Sequence, residues 1–164
     1  MKMTKINYDI LVYLPNNYET IKGQNILTDE FKMGSYSIAV VENANAKELL
    51  AVEDKLRAVD GVGEVFSIYD VFGTNIPLEV LPSEVRNKVH KENTDVLFVT
   101  FLESTSNEKT INAVREIRNI TSDNYMFGGM SSMVLDTMEL SEKEITIYVA
   151  IAVVLCLLVL ELSR

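Results

Sequence analysis

The sequence predicts an α+β domain built from two βαβ units, followed by one C-terminal transmembrane helix. Two observations carry this expectation. A strand–helix–strand pattern of apolar residues occurs twice, the two copies offset by about sixty residues and nearly equal in length. Residues 145–160 (ITIYVAIAVVLCLLVL) carry no charge, no proline and no glycine, and are apolar on every face rather than along one stripe.

The first unit opens with residues 35–41 (SYSIAVV), β-branched and aromatic and bounded by Gly34 and Asn43, which predicts a strand. In residues 45–59, Leu49, Val52, Leu56 and Val59 share one helical face. Asn45 as N-cap with Glu48 three residues on marks the start of that helix, and Asp60-Gly61 marks its end. Residues 65–71 (VFSIYDV) read as the second strand. In the second unit, residues 95–101 (DVLFVTF) form a strand, and Thr105 with Glu108 forms a capping box. Ile111, Val114, Ile117 and Ile120 then line a helix. Residues 124–127 (NYMF) form a short strand closed by Gly128-Gly129. Two such units in one domain predict a ferredoxin-like βαβ-βαβ sandwich. Right-handed crossovers put both helices on one face of a four-stranded sheet. The other face is then covered by something or open to a partner.

Three segments lie outside the repeat. Residues 8–15 (YDILVYLP) read as extended, and residues 17–31 as a helix capped by Asn17. Residues 76–93 join the two halves as a lid or partner-facing element, with a short helix beginning near Pro82.

The apolar run is slightly short. Its sixteen residues span roughly 24 Å as a helix, against a hydrocarbon core of ~30 Å. Reaching Leu162 tolerates Glu161 at the membrane edge. Upstream, Ser141 and Glu144 fit a capping box at the start of the span; a continuous helix from about Met133 is the alternative. Lys143 and Arg164 flank the run, so the positive-inside bias is close to a tie. The first fourteen residues begin basic, but Asn7 and Asp9 interrupt any apolar core, so no signal peptide is expected.

Net charge is −9, from 24 acidic and 15 basic residues. That balance disfavours a nucleic-acid partner, whose phosphates need clustered Lys and Arg, and disfavours docking of the domain on anionic headgroups. The single cysteine, Cys156, lies in the apolar run and reads as a small packing residue. His90 is the only histidine and reads as a solvated surface residue. Ser131-Ser132 after Gly128-Gly129 does not match G-x-S-x-G and reads as structural. Gly61-x-Gly63 precedes a strand, not a helix, so it is no dinucleotide loop. The sequon Asn119-Ile120-Thr121 falls at a helix end with a core residue inside it and reads as chance. Asp136, Glu139, Glu142 and Glu144 read as a solvated helical face near the membrane. No constellation supports catalysis, a cofactor or a metal, and a non-enzyme is expected.

The order of segments carries a resemblance. INYDILVYLP, then NYETIKGQNILTDEF, the βαβ pair and GGMSSMVLDTMELSEKEITIYVAIAVVLCLLVL together resemble the MMPL branch of the RND superfamily of membrane transporters. The similarity covers nearly the whole chain and rests on segment order, on Asn7-Tyr8-Asp9, on Tyr13-Leu14-Pro15 and on residues 129–144. It implies the first extracytoplasmic porter domain plus most of the second transmembrane helix. The layout would be an N-terminal segment and helix over residues 1–33, a porter domain over 34–130, a membrane-proximal connector over 131–144 and a transmembrane helix over 145–162. Family members carry a membrane helix before the Asn-Tyr-Asp stretch, further helices and a second porter domain; here MKMTK precedes it. The resemblance therefore implies part of an exporter of hydrophobic substrates or lipids, not transport-competent alone. Its partners would be the remaining helices, the second porter domain, the bilayer and a hydrophobic substrate. The competing expectation is a cytoplasmic, tail-anchored ligand- or protein-binding module. A third is a soluble enzyme with a buried last helix.

Overall fold

A computed structural model of the chain describes residues 10–73, 80 and 82–163. Its architecture is α+β, with a five-stranded antiparallel sheet and a long C-terminal apolar helix. A 3-10 turn at Ile10–Tyr13 precedes α1 (Glu19–Asp29), β1 (Ser35–Glu42) and α2 (Ala46–Arg57). Next come β2 (Val62–Phe66), α3 (Ile68–Phe72), α4 (Ser83–Val89) and the two-residue β3 (His90–Lys91). The chain continues with β4 (Thr94–Phe101), α5 (Glu108–Ile120), β5 (Tyr125–Gly128) and α6 (Met130–Leu162).

The four longer strands lie in the order β2-β4-β1-β5, and β3 pairs with β4. The two strand–helix–strand units interleave. Strands β1 and β2 both pair with β4, and β4 and β5 both pair with β1. Neither unit completes a sheet alone, so the core forms only when both are in place.

Register decides which side chains share a face, because successive strand residues point to opposite sides. Ser37 lies opposite Val99 and Ala39 opposite Leu97. Phe127 lies opposite Ala39, and Val65 opposite Val99. These residues face the helices. Leu49 and Leu56 of α2, Ile111, Val114 and Ile117 of α5, and Leu135 of α6 close over them as one core. Each fully buried Leu or Ile contributes about 1.5–3 kcal/mol. In β2 the register shifts between Val62 and Val65; this β-bulge keeps both side chains on the buried face.

Two glycines are required by space. A Cβ on Gly34 would lie 2.5 Å from the Glu103 carbonyl carbon and oxygen, where β1 meets the end of β4. Gly129 has φ +91° and would bring a Cβ to 3.3 Å from the Ile38 nitrogen. That left-handed turn swings α6 back over β1.

Several expectations are corrected. The second strand ends at Phe66, because the Ser67 side chain accepts from the backbone N–H groups of Tyr69 and Asp70 and the Asp70 side chain accepts in return from the Ser67 N–H. This reciprocal capping starts α3 where a strand was expected. Residues 10–13 form a 3-10 turn, not an extended segment. Tyr18, not Asn17, stands at the α1 N-cap, without a side-chain cap bond. Asn107 replaces Thr105 as the cap of α5, accepting from the Lys109 N–H. Ser141 lies inside α6, which is continuous from Met130; the residues expected as a connector and those expected as the span are one helix. The sheet has five strands rather than four. Ile120 is exposed rather than in the core. Asn45 and Glu48 form the expected reciprocal cap of α2. Asn7, Tyr8, Asp9 and residues 76–79 and 81 of the expected lid lie outside the described residues.

Candidate functional site

The sheet face turned away from the helices is apolar and open. Ile38 lies opposite Phe98, Val40 opposite Val96 and Met126, and Phe66 opposite Phe98, so these side chains share one face with Tyr36. Phe98 is 41% exposed, Phe66 40%, Tyr36 49% and Met126 49%. Single exposed apolar residues are ordinary; a group of them side by side across four strands is the kind of patch that interaction surfaces carry. Tyr36, Ile38 and Val40 of β1 with Val96 and Phe98 of β4 build it. A strand with one solvated face would carry polar residues there.

The second feature is the attachment of α6. Its first two turns belong to the domain. Ser131 donates through Oγ to the Tyr36 carbonyl at 3.0 Å, and the Ser132 and Ser37 hydroxyls lie 2.9 Å apart. Ser131, Ser132 and Leu135 are buried. Farther along, Arg118 pairs with Asp136, and Arg115 Nε donates to Glu139 Oε1 at 3.3 Å. The order of partners is reversed between the two helices, so α6 runs back toward the α5 N-terminus. Beyond this clasp α6 leaves the domain. It is long and apolar enough to cross a membrane, and its most apolar stretch is not buried within the protein. Cys156 lies on that exposed stretch.

The third feature is a buried carboxylate on α2. The Glu53 side chain is fully buried, and among the described residues its Oε1 has no hydrogen-bond partner. Its Oε2 lies 3.3 Å from Arg57 Nη2. That same nitrogen donates to the Val65 carbonyl at 2.7 Å and reaches Asp70 at 3.0 Å. Burial, and then the Asp70 carboxyl beside it, push Glu53 up to about 7. Lost solvation works to raise Asp70, but its bonds with Glu53, the Ser67 backbone and Arg57 hold it below the ordinary value. Loss of solvation works to lower Arg57, and the carboxylates of Asp70, Glu53 and Asp54 outweigh it. This arrangement fastens the end of α2 to the β2–α3 corner.

The remaining singled-out residues separate. His90 is half-buried, not solvated, and its Nδ1 lies 2.7 Å from Oδ1 of buried Asp95 across the β3–β4 bridge. Burial and then the Asp95 charge raise the nearby Tyr69. Asp136 and Glu139 are ion-paired rather than simply solvated. Gly61 and Gly63 flank the start of β2. An open hollow of about 450 Å³ beside Thr121, Asp123 and Phe127 has Arg118 on its wall, already engaged by Asp136. Among the described residues no group of three or more His, Cys, Asp or Glu is placed to hold a metal ion. No protein-family model matches the chain, and no curated protein matches it at a significant level.

Proposed function

We propose that this chain is the porter-domain portion of an MMPL/RND-type exporter of hydrophobic substrates or lipids, with α6 as a transmembrane helix and the domain on the extracytoplasmic side. The observation that carries the reading is the continuity of α6. One helix is locked into the domain core by Ser131, Ser132 and Leu135 and continues into an unburied apolar span. Domain and span therefore move as one body, which suits a part that transmits motion between membrane helices and a domain outside them. The strand order β2-β4-β1-β5, with every pairing antiparallel, supports the ferredoxin-like reading of the sheet. The open face around Phe98 and Tyr36 supplies an apolar surface against which a second porter domain packs. Transport itself belongs to the assembly with the remaining helices.

Sidedness tests the proposal. Lys47 is exposed on α2. Lys47→Cys in a Cys156→Ser background is expressed in the native full-length context, and intact cells are treated with a membrane-impermeant thiol reagent. Labelling without permeabilisation is expected. Labelling only after permeabilisation, with expression confirmed, overturns the porter reading in favour of a cytoplasmic tail-anchored module.

A further inference from the structure

We propose that the N-terminal helix α1 and the turn after it form a second membrane contact, seated in the headgroup region of the bilayer beside α6, with Phe31, Leu27 and Ile26 as its apolar anchors. The inference rests on the reading of α6 as a membrane helix and adds a site to it.

The first observation is a set of exposed apolar side chains on α1 and the turn after it. The less exposed stripe of α1 is Ile21, Gln24 and Thr28, mostly polar. Gln24 Nε2 donates to the Gly34 carbonyl at 2.6 Å, and Thr28 Oγ1 donates back to the Gln24 carbonyl. The larger apolar residues face outward instead: Ile26 is 50% exposed, Leu27 41% and Phe31 65%, and α1 has no buried residue. Exposed Glu19, Lys22 and Asp29 share the helix with them, so the apolar side chains project as discrete anchors from a surface that is otherwise polar.

The second observation is location. The turn after α1 is pinned to one end of the sheet. The Met33 N–H donates to the Leu27 carbonyl, and the Gly34 N–H to the Phe101 carbonyl at the end of β4. The backbone of Lys32 lies against Gly63 at the start of β2. The α5 N-terminus occupies the same end, since Lys109 packs on Gly61 and Thr110 donates to the Glu103 carbonyl. The reversed Arg118–Asp136 and Arg115–Glu139 pairs send α6 toward this end. Ile145 follows Glu139 by six residues, roughly 9 Å of helix, so the apolar run begins within about two turns of these pairs. The bilayer surface thus meets the end of the domain from which α1 projects. Interfacial helices seat their apolar side ~5–10 Å into the headgroup boundary, a depth that Phe31 and Leu27 suit. Glu19, Lys22 and Glu30 on the outward side carry mixed charge, so binding relies on apolar insertion rather than on anionic lipid.

The chain contains no tryptophan, so single reporters are unambiguous. The full chain carrying Phe31→Trp, Val71→Trp or Leu157→Trp is reconstituted in phosphatidylcholine vesicles with lipids brominated at shallow or deep acyl positions. Val71 is exposed on α3, at the opposite end of the sheet. Phe31→Trp is expected to be quenched several-fold more than Val71→Trp, chiefly by shallow bromines, with Leu157→Trp quenched by deep ones. Phe31→Trp no more quenched than Val71→Trp, while Leu157→Trp responds, overturns the α1 contact and leaves the membrane helix standing. Blue-shifted Phe31→Trp emission that ignores bromine and grows with protein density means a second copy covers α1, and also overturns it. An unquenched Leu157→Trp removes the membrane premise and the α1 contact together.

Discussion

Glu53, a carboxyl buried on the apolar stripe of α2, predicts a pH dependence of the fold. Burial lifts its carboxyl from the ordinary 4.5 to about 7. Between those values the folded chain holds a proton that the unfolded chain has lost, so stability falls as pH rises through this window. Above it the fold bears the full cost of a buried carboxylate. Asp70 works in the opposite sense. Held below its ordinary 3.8, it stabilises the fold above that value, and the contribution is lost as pH falls through its folded value. For this pair alone the stability optimum is expected between the two ordinary values, 3.8 for Asp70 and 4.5 for Glu53. Glu53→Gln keeps the volume and a donor toward Asp70 while removing the charge. It is expected to be near neutral at pH 4.5, to stabilise the fold by about 1–3 kcal/mol at pH 8, and to flatten the slope between. Thermal melts across that range check this; an unchanged slope would refute the assignment. The sequence carries a signal for this residue. Glu53 lies four residues after Leu49 and three before Leu56, on the apolar stripe of α2. The periodicity of that stripe is legible from Leu49, Val52, Leu56 and Val59, while an acidic residue on it is easily assigned to the solvated side. Its partners Arg57 and Asp70 meet it only after β2 and α3 fold back.

At the scale of elements, local chemistry is legible at α2, β1 and β4, and misleads at the starts of α1 and α5, where Tyr18 and Asn107 take the cap positions expected of Asn17 and Thr105. Asn45 with Glu48 marks the start of α2, and β1 and β4 follow from their β-branched runs. Two signals overlap in residues 65–71, where strand-forming side chains contain the Ser67–Asp70 cap; the cap prevails and divides the segment into β2 and α3. Ser141 and Glu144 show the converse. Their spacing fits a helix start and equally a helix interior, and the burial of Leu135 and the pairs with α5 fix the interior reading. Those pairs are the element-scale prediction. Arg118 is about one-quarter exposed and Asp136 more than half, so their coupling is expected near 0.5–1 kcal/mol and weaker in 1 M salt. A double-mutant cycle with Arg118→Ala and Asp136→Ala measures it. A coupling of zero in low salt would mean that Leu135 and the two serines alone hold α6 to the domain.

For the whole molecule, the question is where the domain stops and the span begins, and α6 answers it by side-chain contact rather than by a break in the helix. Among the described residues the contacts that hold α6 to the core and to α5 reach Glu139: Ser131, Ser132 and Leu135 are buried, Val134 and Met138 pack against the core, and Glu139 meets Arg115. Leu140 is already 57% exposed. A chain ending at Leu140 keeps every one of these contacts and drops the apolar run. It is expected to leave the membrane fraction, stay soluble without detergent and melt cooperatively. A chain ending at Gly129 loses Leu135 from the core, a deletion of the kind that costs about 2–5 kcal/mol, and also leaves the Ser37 hydroxyl without its partner. Against a total stability of about 5–15 kcal/mol, it is expected to be expanded or unfolded. Sedimentation of cell fractions and thermal melts of the two truncations separate the roles of the helix. If the chain ending at Leu140 remained membrane-bound as firmly as the full chain, the apolar run would not be the anchor. If the chain ending at Gly129 melted like the longer one, the first turns of α6 would not belong to the core, and the rigid coupling between sheet and span on which the porter reading depends would be lost.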